Sequence, residues 1–239
     1  MRLGLIVTLI LVAMPAAGQE ISLSLGGDGS LAGRSIFMIA AITLLSLAPG
    51  LAIMVTCFPF IVTVLSILRQ ALGLQQSPPN MLIVSLALFL TWFIMEPVFT
   101  ESWTNGVEPL IAGTIDVPTA FDRGITPFRG FMANRIDPET FSSLAGLRET
   151  TPFAGKINEA PLSILVPSFM LSEITRAFEI GFLVFLPFLI IDLVVSAILM
   201  SMGMMMVPPA VVALPFKLAF FVVANGWVLV SGALVRSYF

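Results

Sequence analysis

The sequence predicts an all-α membrane protein made of two helical hairpins with a small helical domain inserted between them. Hydrophobic residues make up 58% of the 239 residues and charged residues only 10%, whereas soluble domains are about 45–50% apolar and about 25% charged. Several apolar stretches reach the roughly 20 residues that a helix needs to cross a bilayer. Of the 25 charged residues (11 basic plus 14 acidic), 13 lie between positions 100 and 160. The chain therefore divides into apolar hairpins around one polar insert.

The first 35 residues read as an export signal followed by a flexible segment. Residues 1–18 begin with Met1-Arg2, continue with an apolar core and end in small residues, which is typical of a cleaved secretory signal peptide. An uncleaved anchor is the alternative. Residues 19–35 are rich in Gly and Ser and predict a flexible periplasmic N-terminal segment.

The first helical hairpin is predicted over residues 36–99. Residues 36–68 are longer than one span and contain prolines, so they predict a span with a kinked extension. A short loop with a Pro pair follows. The second span, residues 81–99, is predicted to end at Glu96-Pro97, because proline removes a helical hydrogen bond.

The inserted domain is predicted over residues 100–160. It carries eight acids and five bases, and short helices are expected around Pro118–Arg135 and Pro138–Arg148. After a cleaved signal and two spans, this domain lies on the periplasmic side. Its acidic balance agrees with that side, because positive charge is favoured in cytoplasmic loops.

The second helical hairpin is predicted over residues 161–239 and contains a Met-rich turn. The helix that ends at Gly203 would be roughly 60 Å long, about twice the hydrocarbon thickness. Either it breaks at Pro187, or much of it stands above the membrane inside an assembly. Residues 210–235 predict one last helix.

The turn between these helices is the main candidate site. Methionine is unbranched and polarisable, and it repacks at low cost. A methionine cluster at a turn between two membrane helices therefore suggests a soft seal, although methionine is also an ordinary apolar residue. The candidate seal consists of Met204, Met205 and Met206, with Met202 as a further candidate, and the turn itself of Gly203, Pro208 and Pro209.

Four charged residues in the second hairpin are candidates for packing or coupling. A charge at the bilayer centre costs about 2.5–3.5 kcal/mol on insertion scales, so such residues tend to face a partner. Asp192 and Lys217 flank the turn, and they could form an ion pair within or between subunits, act as a proton relay, or serve only helix packing. Glu173 and Arg176 are three residues apart and can pair on one helix face.

Catalytic chemistry finds no support in the sequence. The chain has no histidine and one cysteine, Cys57, which argues against a metal site and a disulfide. No phosphate-binding loop, nucleophile elbow or intramembrane carboxylate pair is present. We predict no enzymatic activity, no cofactor, no metal and no nucleic-acid partner.

Ordered blocks of residues lie across most of residues 36–235. They are Leu68–Gly73 with Pro78-Pro79-Asn80, Leu86–Thr91, Ser172-Glu173 with Ala177–Phe182, Pro187–Met206, and Leu214–Lys217 with Gly226-Trp227. These blocks resemble the FliP/SctR family of type III secretion export gate proteins. The sequence after the Met triplet and the signal peptide resemble the flagellar branch. One departure is Pro59-Phe60, where many relatives have Thr-Arg.

The resemblance implies a channel-forming subunit of the flagellar export gate. Such proteins form a cone-like ring with copies of themselves, expected to be pentameric, and assemble with FliQ, FliR and FlhB. They lie among lipids in the bacterial inner membrane, in the flagellar basal body, and unfolded flagellar export substrates pass through them. The residues Met204, Met205 and Met206 would form the pore gasket. The alternatives are an assembly scaffold and a proton-coupled transporter subunit in which Asp192 titrates.

Overall fold

The computed structural model describes residues 31–74, 77–147, 155–204 and 206–239. Within these ranges the regular structure is entirely helical, as predicted for an all-α protein. The described chain divides between Leu47 and Ala48 into two compact units. The predicted signal peptide, residues 1–18, lies outside the described residues, as does most of the segment 19–35. The last five residues of that segment are helical, because the first helix begins at Leu31.

Nine α-helices are described, with one π-helical and one 3-10 turn between them. In chain order they are α1 (Leu31–Met54), α2 (Phe58–Ala71), α3 (Asn80–Ser102), a π-turn (Trp103–Val107), α4 (Glu108–Ile111), α5 (Val117–Ala133), α6 (Pro138–Gly146), a 3-10 turn (Ile157–Glu159), α7 (Leu162–Ser201), α8 (Pro209–Val223) and α9 (Gly226–Arg236).

Two continuous helical segments are long and apolar enough to cross a membrane. They are Asn80–Ile111, with 32 residues, and Leu162–Ser201, with 40 residues. The number rises to four if each of two bent helix pairs is counted as one span. Helix α7 runs unbroken through Pro187, so the predicted alternative of a break there is wrong. At 1.5 Å per residue α7 is about 60 Å long.

The second span does not end at Glu96-Pro97 as predicted. Pro97 lies inside α3, which continues to Ser102 and then through the π-turn to Ile111. Proline removes one backbone hydrogen bond, but the preceding turn of α3 is anchored by the buried side chains of Ile94 and Met95. Tertiary packing therefore overrides the local signal at this proline.

The predicted single last helix is also wrong, because it is broken at Asn225. Helices α8 and α9 meet at an angle of 61°, and Asn225 adopts the left-handed conformation with φ 49°. Asparagine tolerates this conformation better than most residues because its short polar side chain can bond locally. Its N–H donates to the carbonyl of Val222 at 3.0 Å, which closes the end of α8.

Helix α2 lies at the centre of the core of residues 48–239. It packs mainly against α7 and α3. Its buried side chains recur at helical spacing and form one continuous apolar stripe. The fully or almost fully buried members are Phe60, Ile61, Val64, Leu65, Leu68 and Ala71.

The insert packs against the hairpins through one apolar face. Helices α5 and α6 confirm the two short helices predicted around 118–135 and 138–148. Met132 and Phe141 are buried with Leu165 and Phe169 of α7. The insert is thus anchored on α7 while most of its charged side chains face outward.

Helix α6 begins with a capping residue that also links it to α7. The carboxylate of Asp137 accepts hydrogen bonds from the backbone N–H and the hydroxyl of Thr140, both at 2.8 Å. The Asp137 N–H donates to Oγ of Ser172 in α7 at 3.0 Å. The bonds from Thr140, helped by the positive charge of Arg176, lower the pKa of Asp137 below its usual value.

We expect Asp137→Ala to increase the backbone amide exchange rate of α6 about fivefold at neutral pH, because the helix loses its N-cap. Asp137→Asn is the matched control, since asparagine caps equally well without a charge. Because the folded pKa of Asp137 is lowered, its stabilising contribution is present above the unfolded pKa and is lost as pH falls through the folded pKa. The difference between the wild type and Asp137→Ala should therefore become smaller in acid, whereas the difference between Asp137→Asn and Asp137→Ala should not. A wild-type difference as large at low pH as at neutral pH would contradict the contribution of the carboxylate charge to the cap.

Candidate functional site

The methionine turn begins with a glycine-terminated helix end. Gly203 has φ +74°, a left-handed conformation that glycine adopts without steric cost. The N–H of Gly203 donates to the Met200 carbonyl and that of Met204 to the Leu199 carbonyl, both at 3.0 Å. This pair of bonds is the Schellman arrangement, which satisfies carbonyls left free at a helix end. The sequence Ser201-Met202-Gly203 therefore stops α7 at a defined residue.

The turn presents methionine side chains at its surface. Met206 is 97% exposed and Met204 is 41% exposed, and Met202 is also exposed. Met205 lies outside the described residues. After the turn, Pro208 occupies the position before α8 and Pro209 its first turn, where a missing N–H leaves no hydrogen bond unmade. Glycine on one side and the proline pair on the other thus keep the methionine segment out of both helices.

An apolar groove lies beside the turn, between α7 and α8. It has a volume of about 520 Å³, and only apolar residues line it. Met202 and Met204 contribute to its wall together with Ile190, Val194, Ile198 and Phe216. Exposed apolar surface of this kind marks a site that another molecule covers.

Asp192 and Lys217 form an ion pair within one chain. Nζ of Lys217 donates to Oδ2 of Asp192 at 2.6 Å and to the carbonyl of Ala71 at 3.0 Å. Ala71 is the last residue of α2, so its carbonyl has no partner within the helix and carries the negative end of the helix dipole. Lys217 therefore joins α2, α7 and α8 at one point. Of the predicted alternatives, the structure contains the ion pair within one chain. The Ala71 carbonyl is a third member of this site, which the sequence did not indicate.

Glu173 does not take the local partner that its spacing allowed, Arg176. Oε1 of Glu173 accepts from Nε of Arg135 at 2.8 Å, and its other oxygen accepts from the Tyr238 hydroxyl. Glu173 is fully buried on the inner face of α7. The positive charge of Arg176 instead helps to lower the pKa of Asp137, at the start of α6. The spacing of three residues allowed a local pair, but a partner 38 residues away in the chain occupies the carboxylate.

Sequence reasoning missed Arg135 as a site residue. Only its spacing could have indicated that Arg135 faces the core, because Met132, Arg135 and Ile136 share the helical spacing of one face. Met132 and Ile136 are buried, so Arg135 extends from the same face toward α7. Among the described residues, no group of three Cys, Asp or Glu side chains is placed to hold a metal ion.

Comparison with known proteins gives one consistent match. The model of the FliP family matches residues 41–234. The flagellar biosynthetic protein FliP of Caulobacter vibrioides is 46% identical over 236 residues, which cover 99% of this chain and 88% of that protein. FliP of Agrobacterium fabrum is 48% identical, covering 88% of this chain and 86% of that protein. FliP of Bacillus subtilis is 41% identical, covering 85% and 92% respectively. Because the match extends over both hairpins, the insert and the methionine turn, the chain belongs to the FliP family of flagellar biosynthetic proteins.

Proposed function

We propose that the chain is a channel-forming subunit of the flagellar type III protein export gate, and that its methionine turn lines the path of the exported proteins. The carrying observation is the exposure of Met204 and Met206 at the end of a continuous 40-residue helix. In this proposal unfolded flagellar proteins cross the bacterial inner membrane past the turn, within the flagellar basal body. The insert lies on the periplasmic side.

The chemistry of methionine suits a seal that closes around many different sequences. A thioether side chain has three rotatable bonds and no polar group that must be satisfied, so it adapts to a changing neighbour. Promiscuous binding surfaces use such flexible residues because they can repack. In the proposed gate Met204, Met205 and Met206 form the gasket, while Gly203, Pro208 and Pro209 hold the turn.

The exposed apolar surface of α7 supports an assembly. Phe178, Phe182 and Leu183 are all exposed on α7, and a soluble monomer rarely exposes such a contiguous patch. In the proposal this surface is covered by further copies of the chain in a pentameric cone-like ring, by FliQ, FliR and FlhB, and by membrane lipids. A ring raised above the membrane also accommodates a helix about twice as long as the hydrocarbon thickness.

A photo-crosslinking amino acid at position 206 tests the proposal in cells. An export substrate is stalled by a folded C-terminal tag, and adducts are detected after illumination. We expect a stalled-substrate adduct at position 206, because Met206 projects from the turn. The matched control is position 223, since Val223 is also apolar and is 83% exposed, but lies about 20 Å along α8 from its start. Position 223 should crosslink to neighbouring subunits and not to the substrate.

The outcome separates a channel subunit from an assembly scaffold. An adduct specific to the stalled substrate supports the channel. Normal assembly without a substrate adduct at position 206, alongside an adduct elsewhere in the complex, would contradict the proposed path and favour the scaffold.

A proton-coupled role of Asp192 is the second candidate. Its support is one buried oxygen of Asp192 that has no hydrogen-bond partner. The close contact with Lys217 favours a structural role instead, because the pair already joins three helices.

A further inference from the structure

A buried polar cluster connects three distant parts of the chain. Arg135 follows α5 in the insert, Glu173 lies in the middle of α7, and Ser237 and Tyr238 follow α9. Nε of Arg135 donates to Oε1 of Glu173, and its Nη1 donates to the Ser237 carbonyl, both at 2.8 Å. The Tyr238 hydroxyl donates to the second oxygen of Glu173. We call these four residues the tail clamp.

The tail clamp is enclosed by aromatic side chains. The guanidinium carbon of Arg135 lies 4.0 Å from the ring centroid of Tyr238 and 5.8 Å from that of Phe60. The Tyr238 ring stacks on Phe131 of the insert, with centroids 5.9 Å apart. Planar guanidinium stacks on aromatic faces and also donates several hydrogen bonds in fixed directions. Arginine thus satisfies a carboxylate, a backbone carbonyl and a ring at the same time, which lysine cannot do.

The clamp has a counterpart within α8, on the other side of the break between α8 and α9. Lys217 of α8 is bonded to Asp192 of α7 and to the end of α2. Between Lys217 and Ser237 the helix pair contains its break at Asn225. Within the described part of the chain, side-chain hydrogen bonds connect α8, α9 and the residues after them to other helices only at these two places. The bent pair is therefore held by polar contacts at two points, one on either side of its break.

We propose that the tail clamp is a positioning site that fastens the residues after α9 to the insert and to α7, and so sets the position of the helix pair that follows the methionine turn. The inference rests on the contacts of the clamp and does not depend on the proposed export function. It predicts that loosening the clamp frees α9 locally while the core around α2 stays intact.

Hydrogen–deuterium exchange on the purified full chain in lipid nanodiscs tests this positioning role. The first variant is Tyr238→Phe, which removes one hydroxyl and keeps the ring over Arg135. We expect exchange at least about tenfold faster in residues 226–236 and around position 135, since a buried carboxylate loses a donor. Exchange in residues 64–71 should stay within about twofold of the wild type, because that part of α2 lies beyond Phe60, the residue of α2 whose ring contacts the clamp. Phe239→Ala is the matched control, because Phe239 is an exposed aromatic neighbour, and it should leave exchange unchanged.

A double substitution distinguishes a coupled cluster from independent contacts. Arg135→Met alone leaves Glu173 buried without its cation, whereas Arg135→Met combined with Glu173→Leu removes both charges. If the two residues are coupled, amide exchange in residues 226–236 should be slower in the double variant than in Arg135→Met. The reason is that a buried charge without its partner destabilises the fold more than the loss of both charges does. The proposal is overturned if Tyr238→Phe exchanges like the wild type. It is also overturned if the increase is uniform along the chain, or if the double variant exchanges as fast as Arg135→Met or faster.

Discussion

Lys217→Met is expected to lower the melting temperature of the purified chain by roughly 5–15 °C. The substitution keeps an apolar stem but removes the cation from Asp192 and the donor from the Ala71 carbonyl. Breaking a fully buried pair costs about 3–5 kcal/mol. One third of the Asp192 side chain is exposed, which reduces the expected loss to about 2–4 kcal/mol. For a chain of this length, each kcal/mol corresponds to about 2–4 °C.

Two further variants make the Lys217 prediction specific. Lys217→Met combined with Asp192→Leu should recover at least half of the lost melting temperature, because no charge is then left unpaired. Lys156→Met is the matched control, since Lys156 is the other lysine and is exposed, and it should shift the melting temperature by no more than about 1–2 °C. A double variant as unstable as Lys217→Met would show that the ion pair does not account for the loss.

Asp192→Asn separates the structural role of the pair from proton coupling. The amide still accepts a hydrogen bond from Lys217 but carries no charge. If the pair is structural, the variant lowers the amount of assembled complex, and export falls in proportion. If Asp192 titrates during transport, the variant assembles to the wild-type level and exports nothing. Assembly measured by native gel and export measured by secreted flagellin distinguish these results.

Gly106→Ala is expected to destabilise the chain by about 3 kcal/mol, at the upper end of the usual range for overpacking. A Cβ atom at Gly106 would lie 2.9 Å from both the Ala120 carbonyl oxygen and the Gly124 Cα. Both are backbone atoms of α5, so no side-chain rotation can relieve the overlap. The π-turn and α5 would have to separate, and the hydrogen bond from Ser102 to the Gly124 carbonyl at 2.8 Å would lengthen. Thermal unfolding of the purified chain measures the loss.

Gly130→Ala provides the control for this prediction. Gly130 lies in the same helix α5, and no atom lies within 4 Å of a Cβ placed there. Alanine is favoured over glycine inside a helix by about 0.5–1 kcal/mol, so this variant should be neutral or slightly more stable than the wild type. Equal melting temperatures for Gly106→Ala and Gly130→Ala would contradict the close approach of the π-turn to α5.

Features encoded by neighbouring residues were predictable from the sequence. The all-helical class follows from long apolar runs, and the two helices of the insert follow from the Pro-led segments at 118 and 138. The end of α7 at Ser201 follows from Gly203 just past the helix, followed by the Pro208-Pro209 pair. Each of these depends on backbone and side-chain properties within a few residues.

Features that depend on distant residues were decided only by the tertiary structure. Pro97 and Pro187 lie inside continuous helices, because packing compensates for the hydrogen bonds that proline removes. The helical path is interrupted instead at Asn225, whose left-handed backbone conformation separates α8 from α9.

By itself, the sequence determined that this protein is helical, that it is apolar enough for a membrane, and where its methionine turn lies. The tertiary structure decided which charges meet. Glu173 had a candidate partner three residues away, yet Arg135 and Tyr238 occupy its oxygens, and Lys217 also reaches the end of α2. The physical reason is that a buried charge must find its partners in the folded core, and neighbours in that core are set by helix packing, which sequence spacing does not encode.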